Sequence, residues 1–302
     1  MPNYIGVDLG GTNVRVAKVN QDGVVIQEFK EESEVDKGCD HVISKIERMI
    51  KCIDGYEKCN GIGLGVPGPV DTVNGKMVIA NNLPCFYDYP IVSKISSIFD
   101  MPTYLDNDVN VAGLAEAVCG AGKGLPIVYY ASISTGIGGA MIVDGKVIAG
   151  KNGHAGEIGN ISVDRSREAQ KGLVAGAAEN EASGTALTRK GKEIFGEDKI
   201  KNAGDVFELC RQNNSQAVKL VDEFAYDIAV MLAAAGHVVD PYMFIIGGGV
   251  MKSKDVFFTK VQEYYKTLVF PGMRDILFAE AKLAEPGLVG AAMLPMSYDT
   301  HK

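Results

Sequence analysis

One device is used twice in this sequence, and it constrains the fold more than any other feature. An apolar stretch runs directly into a glycine-rich turn at Asp8-Leu9-Gly10-Gly11-Thr12, and again at Ser134-Thr135-Gly136-Ile137-Gly138-Gly139. A second β-patterned stretch follows each turn, at 14–19 and 139–143. Glycine has no Cβ, so such a turn lets backbone N–H groups approach a phosphate closely, and neighbouring hydroxyls add donors. Two of them in one chain predict two jaws for one polyphosphate. Neither continues into Gly-Lys-Ser/Thr, so neither is a Walker A loop.

The pattern around the turns is that of a mixed α/β chain. Residues 4–7, 14–19 and 24–29 read as strands, with a tight Asp22-Gly23 turn before the third. Helical spacing of Val42, Ile43, Ile46, Met49 and Ile50 predicts a helix over 40–53. A short strand at 61–66 stops at Pro67-Gly68-Pro69. A helix over 91–99 then leads to a strand at 103–105, and an alanine-rich helix follows Asn107 to about Val118. The second half repeats the opening, with strands at 127–133, 139–143 and 146–148, the last two joined by an Asp144-Gly145 turn. Helices are expected at 182–194, 215–235 and 255–268, and strands at 242–246 and 276–279. A small-residue helix at 287–296 closes the pattern. The repetition predicts duplicated topology rather than duplicated sequence. A hinge is expected near Gly120 and Gly122, dividing a lobe of 1–118 plus 290–302 from a lobe of 119–289.

Composition narrows the function. The net charge of −8 and the scattered basic residues argue against nucleic acid as a partner. No apolar run approaches the ~20 residues of a membrane span, and the N-terminal residues predict no export signal. The six cysteines, Cys39, Cys52, Cys59, Cys85, Cys119 and Cys210, form no C-x-x-C pair. They are expected to be reduced and mostly buried in a cytoplasmic protein.

Leu105-Asp106-Asn107-Asp108 is the expected seat of chemistry. A carboxylate just past a strand, at the start of a helix, faces the crevice at the sheet's C-terminal edge. Asn107 or Asp106 would equally cap that helix, and three polar residues exceed what one cap needs. General-base work needs one carboxylate, and Asp108 is chosen. Asp8 can orient water on Mg²⁺, while Gly10, Gly11 and Thr12 can hold the transferred phosphate. Thr135, Gly136 and Gly138 form the second phosphate candidate. Gly247 and Gly248, after a buried strand, allow flat contact with a nucleoside. Glu157 and Glu179 can grip hydroxyls, and Gly68 and Asn82 can complete the pocket. His41, His237 and His301 need no function.

Together these pieces resemble the ROK family of sugar kinases and related repressors. The resemblance runs from Tyr4 to about Met296. It rests on Asp8-Leu9-Gly10-Gly11-Thr12, Asn82-Leu83-Pro84, Asp106-Asn107-Asp108, the stretch from Ile133 to Gly159, Ala182-Ser183-Gly184-Thr185-Ala186-Leu187 and the Gly247 triplet. It implies a two-lobed actin/hexokinase-like (ribonuclease H-like) α/β fold, with duplicated mixed-sheet domains, flanking helices, and MgATP and sugar between the lobes. It also implies Asp108 as catalytic base, Asn107, Glu157 and Glu179 on sugar hydroxyls, and a homodimer. One departure is sharp. Family members commonly carry zinc on a histidine and three cysteines, but here the histidine position is Asn160 and residues 162–178 contain no cysteine. No structural zinc is therefore expected, and Asn160 is left to hydrogen-bond a hydroxyl in the histidine's place.

The expected activity is ATP-dependent phosphorylation of a hexose hydroxyl, glucose-like and at the 6-position. A sugar-binding regulator of the same family is the alternative. Only seven residues precede Asp8, fewer than a helix-turn-helix segment needs. A non-sugar ATPase of the same superfold would not need Asn107, Asp108 and Glu157 together.

Overall fold

In the computed structural model, which describes residues 1–78 and 83–299, the opening strands form an antiparallel meander. β1 (Asn3–Leu9), β2 (Asn13–Asn20) and β3 (Val25–Glu32) precede helix α1 (Cys39–Lys51). β4 (Ile62–Val66) and a small hairpin, β5 (Val70–Asp71) with β6 (Lys76–Met77), come next. Helix α2 (Ile91–Phe99), β7 (Thr103–Asn107) and α3 (Asp108–Val118) follow. The first sheet runs β3-β2-β1-β4-β7, with β4 parallel to both β1 and β7.

The second half reuses this plan. β8 (Ile127–Ile133), β9 (Ile137–Val143) and β10 (Lys146–Val147) lead into α4 (Ala178–Ala182), α5 (Gly184–Phe195), α6 (Ala203–Arg211) and α7 (Ser215–Val239). β11 (Met243–Gly247), α8 (Lys254–Leu268), β12 (Leu277–Glu280) and α9 (Pro286–Asp299) complete the order. The second sheet runs β10-β9-β8-β11-β12, with β11 parallel to β8 and β12. It is the first sheet's order again. The chain divides into two compact units, Met1–Pro126 with Ala140–Ala155 and Lys282–Lys302, and Ile127–Gly139 with Gly156–Ala281.

Period-two alternation decides the two faces of the first sheet. Ile5, Val7 and Leu9 of β1 and Ile62, Leu64 and Val66 of β4 join a core with Ile46, Met49 and Ile50 of α1 and Ile95 of α2. The alternate positions include Gly6 of β1 and Gly63 and Gly65 of β4, and α9 lies against Gly6 and Gly63. A Cβ on Gly6 would stand 2.4 Å from the Leu288 carbonyl oxygen, and one on Gly63 only 1.8 Å from that of Ala291. Gly290 of α9 meets α3 in the same way, 1.7 Å from the Val111 carbonyl oxygen. The buried Glu116 of α3 fixes the approach to α9, accepting from the N–H groups of Lys282 (2.8 Å) and Leu283 (2.7 Å).

The second unit has an aromatic core. Phe207, Phe224 and Phe257 pack with ring centroids 5.3–5.7 Å apart. The helix expected over 182–194 starts two residues later as α5, and Ala182 instead ends the separate α4. Ser183 is extended (φ −85°, ψ 166°) and caps α5 by accepting from the Ala186 N–H at 3.1 Å. Helix α6 escapes the sequence reading, although Asn202 and Asp205 form its capping box. The cysteines also differ from expectation: all six are free thiols, but only Cys59 is buried and Cys52 is exposed. Cys39 reaches the Cys85 carbonyl at the edge of the first core. No helix among the described residues is long and apolar enough to cross a membrane.

The glycine contacts yield a stability prediction. Gly63→Ala should destabilise the first unit by ~2 kcal/mol or more, because the added methyl meets backbone that cannot rotate away. Gly272→Ala, with open space around its Cβ position, should be neutral. Urea unfolding of both variants checks this, and an unchanged midpoint for Gly63→Ala contradicts the packing argument.

Candidate active site

In the first unit the candidate residues gather where β7 becomes α3. Asn107 is extended (φ −65°, ψ 149°), and its Oδ1 accepts from the Val109 N–H at 2.8 Å, so it is the N-cap. Its Nδ2 donates to the Gly68 carbonyl at 2.9 Å, and Gly68 holds a φ of +84° that favours glycine. The asparagine side chain is thus fixed at both ends.

Asp106 sits beneath, with no exposed surface. Its Oδ1 accepts from the Asn107 N–H and from Asn110 Nδ2, both at 2.7 Å, while its Oδ2 has no partner among the described residues. Burial pushes this carboxyl up to about 6 against those two hydrogen bonds. Asp108 occupies the first turn of α3 and accepts from its neighbour's N–H at 2.9 Å. Its residue surface is exposed, yet protein atoms lie densely around the carboxyl. The resulting desolvation pushes it up to about 6, opposed by the Val109 N–H and assisted by the charge of Asp8.

Asp8 lies near the end of β1, opposite Arg15 across the hairpin. Burial raises its pKa more than Arg15 lowers it. Arg15 is itself held by Glu28 (2.7 Å) and Glu285. The hairpin tip is tied by Gly10 N–H to the Asn13 carbonyl and by Ser33 N–H to that of Thr12, both at 2.9 Å. The N–H groups of Gly11 and Thr12 take no protein acceptor among the described residues.

In the second unit three segments meet at the end of β8. Gly184 donates to the Ser134 carbonyl at 2.7 Å, and Gly248 (φ +93°) passes so close that a Cβ would stand 2.2 Å from the Ile133 carbonyl oxygen. Gly247 leaves room for the Tyr130 hydroxyl. Gly136 has a role beyond backbone exposure: a Cβ there would meet Glu179, whose Oε2 accepts from the Ile137 N–H at 2.9 Å. Thr135 is exposed and Gly138 lies within β9.

Beside this junction runs a groove of about 940 Å³, walled by the turn at Ser134 and Thr135, the polar face of α5, the start of α6 and residues 249–253. Arg189, Lys192, Lys201 and Lys252 line it against Glu193 and Glu197, so its local charge is positive on a chain of net charge −8. Phe207 and Val250 supply an apolar floor. That combination suits an anionic ligand with a flat apolar part. The sequence reading missed Thr185, Thr188, Arg189 and Lys192, although their helical spacing marks one face of α5.

Glu157, Asn160 and Glu179 also belong to the second unit. Glu157 precedes a single 3-10 turn that ends with Asn160, and both are exposed. Gly159 between them lets Glu179 pack within 3.4 Å of its Cβ position. Asn160 Oδ1 accepts from the Val174 N–H at 3.0 Å. Among the described residues no three His, Cys, Asp or Glu side chains form a group able to hold a metal ion. Asn82 lies outside the described residues.

The fold and these motifs have close counterparts. The chain is 29% identical to a glucokinase of Halalkalibacterium halodurans, over 96% of this chain and 94% of that one. The ROK hexokinase of Thermus thermophilus superposes with a TM-score of 0.87 at 28% identity, covering 96% of this chain and 97% of that one. A ROK family glucokinase from Streptomyces griseus, solved in complex with glucose and AMPPNP, gives a TM-score of 0.75 at 26% identity, over 97% and 98% of the two chains. The duplicated sheets are accordingly those of the actin/hexokinase-like fold. The ROK family profile matches residues 4–297, essentially the whole of both units, and the chain belongs to the ROK family.

Proposed function

We propose that this chain is an ATP-dependent hexose kinase that phosphorylates a glucose-like sugar at its 6-hydroxyl. The observation that carries the reading is the β7–α3 junction. It presents Asp108, a carboxylate with a raised pKa, beside an asparagine whose side chain is locked by its cap and by Gly68. A base poised near 6 is ionised at neutral pH yet retains enough basicity to take a proton from an attacking hydroxyl. The similarity to a glucokinase bound to glucose and AMPPNP supports both the sugar class and the donor.

In this reading Asp108 removes the proton from the sugar hydroxyl as its oxygen attacks the γ-phosphorus. Gly68, Asn82, Asn107, Glu157, Asn160 and Glu179 hold the remaining hydroxyls. The N–H groups of Gly10, Gly11 and Thr12, with Thr135, Gly136 and Gly138, meet charge on the phosphates. Gly247, Gly248 and the basic groove hold the rest of the nucleotide. Asp8 fits a Mg²⁺ ion accompanying ATP, since its carboxylate takes no hydrogen bond among the described residues and Mg²⁺ bound through waters needs only one or two carboxylates. That ion would neutralise phosphate charge. The reading calls for no structural zinc, and it carries a homodimer in the cytoplasm.

The first test is MgATP-dependent ADP release across a sugar panel, with Asp108→Asn alongside. Turnover on one or a few hexoses, reduced ~10²–10⁴-fold in the variant while sugar still binds, is the expected result. Sugar binding without turnover in the wild type would point instead to a sugar-responsive regulator, and sugar-independent ADP release to an ATPase. The pH dependence follows from the sign of the Asp108 shift. Only the ionised form is a base, so kcat/KM should be level above about 6 and fall with decreasing pH below it. A profile that stays level down to pH 4.5 would contradict the assigned base.

A further inference from the structure

The segment 161–177 of the second unit has no helix and only a one-residue bridge, Ser162 with Ala177, yet its path is closely specified. At its base the Ala178 N–H bonds the Ile161 carbonyl (2.8 Å) and the Val163 N–H that of Gly176 (2.9 Å). Just beyond that base Asp164 accepts from the Ser166 N–H (2.9 Å) and hydroxyl (2.6 Å), making a tight turn. From that turn Arg167 reaches inward.

Its guanidinium Nη1 lies 2.5 Å from Asp227 Oδ2 on α7 and 3.0 Å from Glu181 Oε2 on α4, and Nε lies 3.3 Å from Asp164. The side chains of Asp227 and Glu181 are 2% and 5% exposed. Lys190 of α5 also bonds Glu181, at 2.7 Å. Glu181 therefore has two cations, while Asp227 has only Arg167 at bonding distance among the described residues. Burial raises the Asp227 pKa and Arg167 is the largest opposing influence. Buried ion pairs rarely stabilise a fold beyond what apolar side chains would do, so what such a pair offers is a fixed geometry.

The geometry at stake is that of the residues flanking the segment. Asn160 precedes it and is oriented by the Val174 N–H of its returning limb. Glu179 follows it on α4, two residues before Glu181, and reaches the Ile137 N–H. A further tie from Asn180 Nδ2 to the Gln170 carbonyl (2.8 Å) joins α4 to the same limb.

We propose that Arg167 is a positioning residue for sugar recognition, pinning the 161–177 segment to α4 and α7 so that Asn160 and Glu179 are held in register for the hydroxyls of the acceptor. The proposal rests on the kinase reading. It assigns to an ion-pair anchor the ordering of a segment that contains no cysteine or histidine. Arginine suits the task because its planar fork meets several carboxylates at once.

The test uses the full chain and two variants, Arg167→Met and the double variant Arg167→Met/Asp227→Asn, which also removes the stranded buried charge. Arg167→Met should raise the KM for the sugar by roughly tenfold, the equivalent of one lost hydrogen bond, and leave the KM for ATP and kcat within about twofold. The double variant should regain thermal stability and keep the raised sugar KM. Amide exchange at Val174 and Ile137 should be faster in it than in wild type. Return of the sugar KM to the wild-type value in the double variant would overturn the proposal, since Arg167 would then serve only to neutralise Asp227. An unchanged sugar KM in both variants would overturn it as well. Should the wild type turn over no sugar, the kinase reading fails separately, and exchange at the two amides decides the anchor. Unchanged protection overturns it, and lost protection upholds the ordering role.

Discussion

The first unit depends on how closely α9 can approach the sheet. Side chains on β1 and β4 alternate between a branched apolar core facing α1 and α2 and an opposite face on which Gly6 and Gly63 let α9 come to backbone contact. At Gly6 and Gly63 the backbone of one element occupies the space that a side chain of the other would need. Gly290 repeats the arrangement between α9 and α3. Three elements are thus stacked at backbone contact, and the N-terminal end of α3, with Asn107 and Asp108, is carried on that stack. The arrangement also explains why Gly287, beside Asp8, leaves that carboxylate room, since its nearest oxygen is 3.6 Å from the glycine's Cβ position.

The second unit solves a different problem with the same residue type. Its glycines cluster around the last residues of β8, where the start of α5 and the turn after β11 converge on two carbonyl groups. Dense backbone there leaves side chains to line the adjoining groove, so its charge comes from α5, the 197–201 stretch and Lys252 rather than from the glycine motifs. The glycines shape the site, and the charge is supplied from elsewhere.

Much of this was legible in the sequence. Alternation and helical spacing placed the strands of both sheets, and 91–99 and 127–133 agree with the structure to the residue. The two glycine turns marked the duplicated topology because each joins an apolar strand to a second β-patterned stretch, and in the second turn Gly136 and Gly139 also hold clearances that a side chain would fill. What escaped was set by tertiary context. The break at Ser183 depends on the Ser134 carbonyl, which lies fifty residues away along the chain. Helix α6 is one face of an aromatic core whose partners, Phe224 and Phe257, come from two other helices. Arg167 reads as one more surface cation until Asp227, sixty positions later, is seen to lie beneath it. The cysteines were placed too deep because their residue type favours burial, whereas Cys52 falls on the exposed end of α1.

The hydrogen bonds at Asn160 and Glu179 divide polarity between the two side chains. Asn160 spends its oxygen on the Val174 amide, so what it offers outward is the NH₂ group, a pure donor. Glu179 spends one oxygen on the Ile137 amide, and what it offers is the other, a pure acceptor. A hydroxyl can satisfy either partner, giving its proton to the carboxylate or a lone pair to the amide. An ether or carbonyl oxygen can satisfy only Asn160, and an ammonium group only Glu179. In the hexose-kinase reading proposed above, the pair would act as a two-letter code that a polyol can read in either order and that most other small polar molecules can read only by half.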